Sequence, residues 1–233
     1  YDGINWLQIG VDSTAELIQP QVDNPRSMGK IVIYGTSIQQ GGCASRTGMV
    51  PSAMIQRDFN LECVNLATSG QARMDFYIAE AMASIEDAIC YVIDPVPNCT
   101  KDRCDTATYD FINILRTLRP EVPIVMVEGL MYPYTRHDSF HAEYLPQKNE
   151  CFRRGFDQHV AENPKGMYYM THEGQTGPDM EGTVDGIHLT DYGFRAYADL
   201  LEIVVKEALD DTDVDYDVEP AYNVVRKTTF WER

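Results

Sequence analysis

The sequence predicts an α/β fold: a three-layer α/β/α sandwich around a central, parallel, five-stranded sheet. Three observations carry that prediction. Five short apolar runs alternate with longer segments in which apolar residues recur every three or four positions. The runs are apolar throughout rather than at every second position, as strands covered on both faces require. A helical segment also lies between consecutive strands, which parallel neighbours joined by right-handed crossovers demand.

In chain order, the strands are predicted at Lys30 to Tyr34, Glu62 to Leu66, Ala88 to Ile93, Ile124 to Glu128 and Met167 to Met170. The helices are predicted at Met49 to Phe59, Asp75 to Ile85, Thr106 to Leu118, Lys148 to Asn163 and Asp191 to Ala208. Ligands in such sheets bind beyond the carboxyl ends of the strands, so chemistry is expected in the segment that follows each strand.

A chain of 233 residues is long enough for one sizeable core and too short for two full domains. Residues 30–209 form the predicted main domain. Residues 1–29 fall outside the alternation: Asn5 to Val11 has a strand pattern, and Gln19 to Ser27, with Pro20 and Pro25, reads as an extended connector. This part is expected to be a strand and linker, either the remnant of an upstream β-domain or an arm lying on the main one. Residues 210–233 form an acidic tail, with Asp and Glu dense from Asp210 to Glu219, as in a solvated or disordered stretch.

Composition narrows the function classes. A formal charge of -17 repels a phosphate backbone and disfavours nucleic acid as a partner. No apolar run approaches the roughly 18 residues that cross a bilayer, so no membrane span is expected. Of the six cysteines, Cys63 and Cys90 sit in strand-like runs as buried thiols, whereas Cys99 and Cys104 flank a short polar stretch and are candidates for a bridge. Such a bridge would point to an oxidising compartment, and a periplasmic or secreted location is the expectation. The oligomeric state stays open.

Four stretches carry candidate chemistry. Gly35-Thr36-Ser37-Ile38 follows the first strand, where a serine at a strand-to-helix turn faces backbone N–H groups that favour developing negative charge. Neither a P-loop nor a G-x-S-x-G elbow is present, since no Gly-Lys-Ser/Thr occurs and Gln39 stands where the elbow needs glycine. Asp185-Gly186-Ile187-His188 precedes the last helix, with Thr190 or Asp191 as its N-cap. A carboxylate three residues ahead of a histidine can fold back onto Nδ1, fix the tautomer and leave Nε2 as a general base. Gly70, after the second strand, and Asn98, after the third, are candidate donors to an oxyanion.

The order of these residues along the strands resembles the SGNH (GDSL-like) hydrolase superfamily, named for Ser, Gly, Asn and His, over about residues 30 to 208. Within it, the chain looks most like a bacterial branch with Tyr-Gly-Thr-Ser-Ile (Tyr34 to Ile38), Gly-Gly-Cys-Ala-Ser-Arg (Gly41 to Arg46) and Asp-x-x-Pro-Asn (Asp94 to Asn98). The resemblance implies an SGNH/flavodoxin-like sheet and an esterase that uses no cofactor or metal. It makes Ser37 the nucleophile and His188 the base oriented by Asp185, with an oxyanion hole of the Ser37 and Gly70 N–H groups and the Asn98 amide. It also implies an acyl ester as substrate, with a short acyl group on a carbohydrate as the first expectation. Members of the branch often carry a small N-terminal β-domain. The chain departs from the family in two places. Thr36 replaces the Asp of Gly-Asp-Ser, and Gly-x-Asn-Asp is reduced to Asn98, so Asp94 and its prolines are expected to reshape the wall beside the oxyanion hole.

The substrate cleft is expected to include Thr36, Ile38, Tyr132, Tyr134 and His137. His137 and His141 stand four apart, the spacing of a zinc site on a helix, but Asp138 occupies the position next to His137 where H-E-x-x-H has Glu, and Tyr132-Pro133-Tyr134 suggests a loop. His159 and His172 read as surface positions. Two rivals to the esterase follow: an SGNH-like module that binds a glycan or protein without turnover, and metal-dependent hydrolysis through His137 and His141.

Overall fold

The computed structural model describes residues 5–18 and 28–212, and the expected connector from Gln19 to Ser27 and most of the acidic tail lie outside them. The predicted architecture is found. Strands β1 (Lys30–Gly35), β2 (Glu62–Asn65), β3 (Ala88–Asp94), β4 (Ile124–Val127) and β5 (Met167–Met170) form one parallel sheet in the order β2-β1-β3-β4-β5. After β1 the chain steps to one side and then returns past it, so the direction of winding reverses between β1 and β3. That reversal opens a crevice at the carboxyl edge of the sheet. In register, Gly35 at the end of β1 lies opposite Asp94 at the end of β3.

Helices α1 (Ser37–Gln40), α2 (Pro51–Phe59), α3 (Phe76–Ala83), α4 (Lys101–Leu118), α5 (Ser139–Glu162) and α6 (Asp191–Asp210) complete the sandwich. One core joins α2 and α6 to one sheet face through Ile31, Ile33, Ile55, Phe194 and Leu201. The other joins α3, α4 and α5 to the opposite face through Val32, Tyr34, Met82, Phe111 and Phe152. Alternate residues of β1 therefore feed opposite cores, and each fully buried Ile or Phe stabilises the fold by about 1.5–3 kcal/mol.

Several boundaries differ from expectation. Helix α4 starts at Lys101, capped by Thr100 Oγ1 accepting from Arg103 N at 3.2 Å, ahead of the predicted Thr106. Its first turn is polar apart from Cys104 and shows no apolar period. Helix α5 begins at Ser139 instead of Lys148 and runs through Pro146. Proline removes one backbone donor, a loss tolerated here because Pro146 is on the exposed side of a helix packed along α4. Asn5 to Val11 is no strand: it pairs with nothing among the described residues, and Trp6 and Leu7 are about three-quarters exposed. A strand needs a hydrogen-bonding neighbour, which an apolar pattern alone does not supply.

Cys99 and Cys104 are buried free thiols rather than a bridge, Cys90 is fully buried, and Cys63 is half-buried. His159 is buried in α5, contrary to its reading as a surface residue. His172 is half-buried, its Nδ1 2.6 Å from Glu128 Oε2, which lifts the imidazole pKa above its ordinary value.

Candidate active site

The position of Ser37 follows from how β1 ends. Thr36 leaves the strand in an extended conformation and its Oγ1 accepts from Ile38 N at 3.3 Å, so Ser37 opens α1 as its first residue. Amide N–H groups at a helix start have no partner within the helix and remain available to an anion. The short helix stops at Gly41, whose φ of 91° is left-handed and suits glycine. Gly42 N then donates to Ser37 O at 2.7 Å. A Cβ on Gly42 would lie 3.4 Å from His188 Cδ2 and 3.2 Å from Ser37 O, so glycine lets the chain pass close to the imidazole.

Across the crevice, Ser37 Oγ and His188 Nε2 are 3.0 Å apart, although 151 positions separate them in the chain. His188 Nδ1 is 2.7 Å from Asp185 Oδ2, while Asp185 Oδ1 accepts from the backbone N–H of Ile187 at 2.9 Å and of His188 at 2.7 Å. The imidazole, followed by the backbone N–H of His188, holds the Asp185 carboxyl well below the usual carboxylate range. An ionised carboxylate only accepts, so Nδ1 carries a ring proton, and in the neutral imidazole Nε2 is then the nitrogen with a lone pair toward the Ser37 hydroxyl. Thr190, not Asp191, caps α6, accepting from Gly193 N at 3.1 Å. Asp191 is thereby free to accept from Ser45 N at 3.0 Å and from the Ser45 hydroxyl, which ties the Gly41 to Arg46 loop to the helix behind His188.

The two positions expected to donate to an oxyanion, Gly70 and Asn98, lie in the segments that follow β2 and β3. Gly70 has a φ of +70°, and no atom lies within 4 Å of where its Cβ would be, as expected for a residue lining open space. The Ser69 N–H donates to Gln40 Oε1 at 3.0 Å, fastening this loop to α1. Asn98 ends a 3-10 turn, and its Oδ1 accepts from Ala72 N at 3.4 Å, which leaves the NH₂ end of the amide for another partner.

Other expected positions fall elsewhere. Thr36 and Ile38 are fully buried and Tyr132 is 7% exposed, so these side chains stand behind the cleft instead of lining it. Tyr134 is half-exposed, and its ring lies 2.9 Å from where a Cβ on Gly186 would stand, beside the Asp185 to His188 loop. His137 is exposed at the end of a 3-10 turn. The segment expected to be a loop is largely helical: His141 lies in the first turn of α5, its Nδ1 2.7 Å from Asp138 Oδ2. No group of three or more His, Cys, Asp or Glu side chains arranged for a metal occurs among the described residues. Tyr132, Tyr134, His141, Phe140 and Tyr144 form a continuous series of ring contacts, with centroids 5.1 to 5.4 Å apart, leading away from Gly186.

Sequence reasoning missed a buried cluster beneath Ser37. Asp94, expected on the wall of the oxyanion hole, is 2% exposed, and its Oδ2 accepts from Tyr197 Oη at 2.7 Å and from Gln39 Nε2 at 3.2 Å. Burial pushes its pKa up to about 7, against the two hydrogen bonds. The only signal in the sequence was a polar residue at the end of an otherwise apolar strand.

A family model described as the GDSL-like lipase/acylhydrolase family matches residues 28–206, most of the chain. The chain belongs to the GDSL-like lipase/acylhydrolase family. Among solved structures, a GDSL-like lipase from Bacteroides ovatus is 31% identical with a TM-score of 0.74, the match covering 78% of this chain and 54% of that one. A salicylyl-acyltransferase from a tetracycline biosynthetic pathway is 16% identical, with a TM-score of 0.66 over 84% of this chain and 58% of that one. A family two carbohydrate esterase from Clostridium thermocellum, solved with cellohexaose, is 17% identical, with a TM-score of 0.61 over 79% of this chain and 65% of that one. The last two likenesses speak to the fold alone, and all three structures are substantially longer than the part this chain matches. A search of curated protein sequences returned no match. No described helix is long and apolar enough to cross a membrane.

Proposed function

We propose that this member of the family is a serine esterase that hydrolyses a short acyl ester, with an acetyl group on a carbohydrate as the first candidate substrate. The observation that carries the reading is the unbroken contact from the Ser37 hydroxyl through the His188 imidazole to the Asp185 carboxylate, at 3.0 and 2.7 Å. Ser37 Oγ attacks the ester carbonyl carbon while His188 Nε2 takes its proton, and Asp185 stabilises the imidazolium that forms. The Ser37 and Gly70 N–H groups and the Asn98 amide receive the charge on the carbonyl oxygen. The imidazolium then protonates the departing alcohol. Water enters, gives its proton to Nε2 and attacks the acyl-enzyme, and the acid leaves as Ser37 recovers its hydrogen.

The carbohydrate part of the reading is supported by the exposed end of the aromatic series that passes Gly186, since an exposed ring suits the apolar face of a sugar. Phe140, in that series, is 64% exposed. The cellohexaose-bound esterase of the same fold is consistent with it. A periplasmic or secreted location and an upstream β-domain, of which residues 1–29 would be the remnant, belong to the same proposal.

The test is hydrolysis of p-nitrophenyl acetate together with labelling by a fluorophosphonate probe. The wild-type chain is expected to do both and Ser37→Ala neither, with an unchanged melting temperature. Wild-type turnover surviving in Ser37→Ala would refute the assignment, and a wild-type chain that binds acetylated oligosaccharides but resists the probe would make it a binding module.

A further inference from the structure

The mechanism above gives Asp94 no chemical task, yet three parts of the site converge on its carboxyl group. Gln39 is two residues past Ser37 in α1, Tyr197 lies on the helix that follows His188, and Asp94 itself ends β3 four residues before Asn98. Besides their bonds to Asp94 Oδ2, Gln39 Nε2 and Tyr197 Oη are 2.7 Å from each other, so the three side chains close a small ring of hydrogen bonds. All three are buried, Gln39 and Tyr197 completely.

We propose that Asp94 is a positioning residue, whose carboxyl group clamps α1, β3 and α6 together so that Ser37 Oγ stays within reach of His188 Nε2 and Asn98 stays aimed at the same point. This rests on the reading of Ser37 and His188 as nucleophile and base.

Energetics argue against a purely stabilising role. A buried carboxyl group is costly, and a well-packed apolar residue of similar size is often as stable or more so. Gln39 adds to the cost, because its Oε1 is buried without a hydrogen-bond partner among the described residues. The backbone is also shaped to admit the cluster: a Cβ on Gly35 would stand 2.4 Å from Gln39 Cγ and 3.2 Å from Asp94 O. A second anchor holds α1 from the other side, where Asn65 Nδ2 donates to Gln39 O at 2.7 Å and to Ser52 Oγ at 2.9 Å. The carboxyl cluster is the one that also reaches the helix behind the base.

The experiment compares Asp94→Leu, Asp94→Asn and Tyr197→Phe with wild type, measuring kcat and KM for p-nitrophenyl acetate, the rate of fluorophosphonate labelling, and the melting temperature. Asp94→Leu is expected to lower kcat and labelling by about 10²-fold at nearly constant KM, the loss that follows when reacting groups are misplaced by an ångström. Tyr197→Phe, which removes the hydroxyl that donates to Asp94 and accepts from Gln39 but leaves the Gln39 to Asp94 bond, is expected to lose about 10-fold. Asp94→Asn keeps an oxygen that accepts the same two bonds and should restore kcat to within about threefold of wild type. Wild-type kcat and labelling in Asp94→Leu, or in Tyr197→Phe should the leucine variant not fold, would overturn the clamp. So would an Asp94→Asn variant as impaired as Asp94→Leu, which would assign the carboxylate a chemical task. A wild-type chain inert to both ester and probe would instead remove the esterase reading, and the clamp with it.

Discussion

Two Asp-x-x-His segments in this chain fold into the same local device, and only one of them meets a serine. In Asp185–His188 and in Asp138–His141, one carboxylate oxygen accepts the histidine's backbone N–H, at 2.7 and 3.1 Å, and the other lies 2.7 Å from its Nδ1. Both histidines and both aspartates are similarly exposed. Beyond the ring the two diverge: Ser37 Oγ stands 3.0 Å from His188 Nε2, whereas His141 packs edge-on against Tyr134 and Phe140. Their aspartates diverge as well, since Asp138 is the N-cap of α5, while Asp185 sits in a loop ahead of a helix capped by Thr190. An oriented imidazole is therefore a short-range product of spacing, and whether a hydroxyl stands at its other nitrogen is decided elsewhere in the fold.

The largest expected effect separates the two histidines. His188→Ala should lower kcat for p-nitrophenyl acetate by about 10⁴-fold or more, as loss of a triad member does, and His141→Ala should leave it within about twofold. Comparable losses in both variants would erase the distinction. A smaller effect of opposite preference is expected in stability: Asp138→Ala removes a helix cap and should cost about 1 kcal/mol in urea denaturation, more than Asp185→Ala costs. The smallest effect concerns acid. Both carboxyls are held below their ordinary pKa by their histidines, so each adds stability that is fully present above the unfolded value of about 4 and is lost as pH falls below it. The melting temperature of Asp185→Asn should therefore fall less steeply than that of wild type between about pH 5 and pH 2, by a margin kept small by exposure to solvent.

How far the sequence could be read depended on the range of the physics involved. Strand and helix patterns reflect burial of a face by near neighbours, and all five strands lie where their apolar runs placed them. The predictions failed where a partner was needed: Asn5 to Val11 has the pattern but no adjacent strand among the described residues, and Cys99 and Cys104 have the spacing but no disulfide. Thr36 and Ile38 adjoin Ser37 in sequence, yet both side chains are fully buried, and Tyr132, expected in the cleft, is buried as well.

By itself, the sequence determined the sheet, the serine turn after β1 and the Asp-x-x-His turn before α6, because each is built from residues a few positions apart whose backbone preferences are intrinsic. Only the tertiary structure decided which histidine faces Ser37, and that Gln39, Asp94 and Tyr197 share one buried ring of hydrogen bonds beneath it. Those contacts join segments roughly 55 to 150 positions apart, and they form because the winding of the sheet reverses between β1 and β3 and α6 packs across the result.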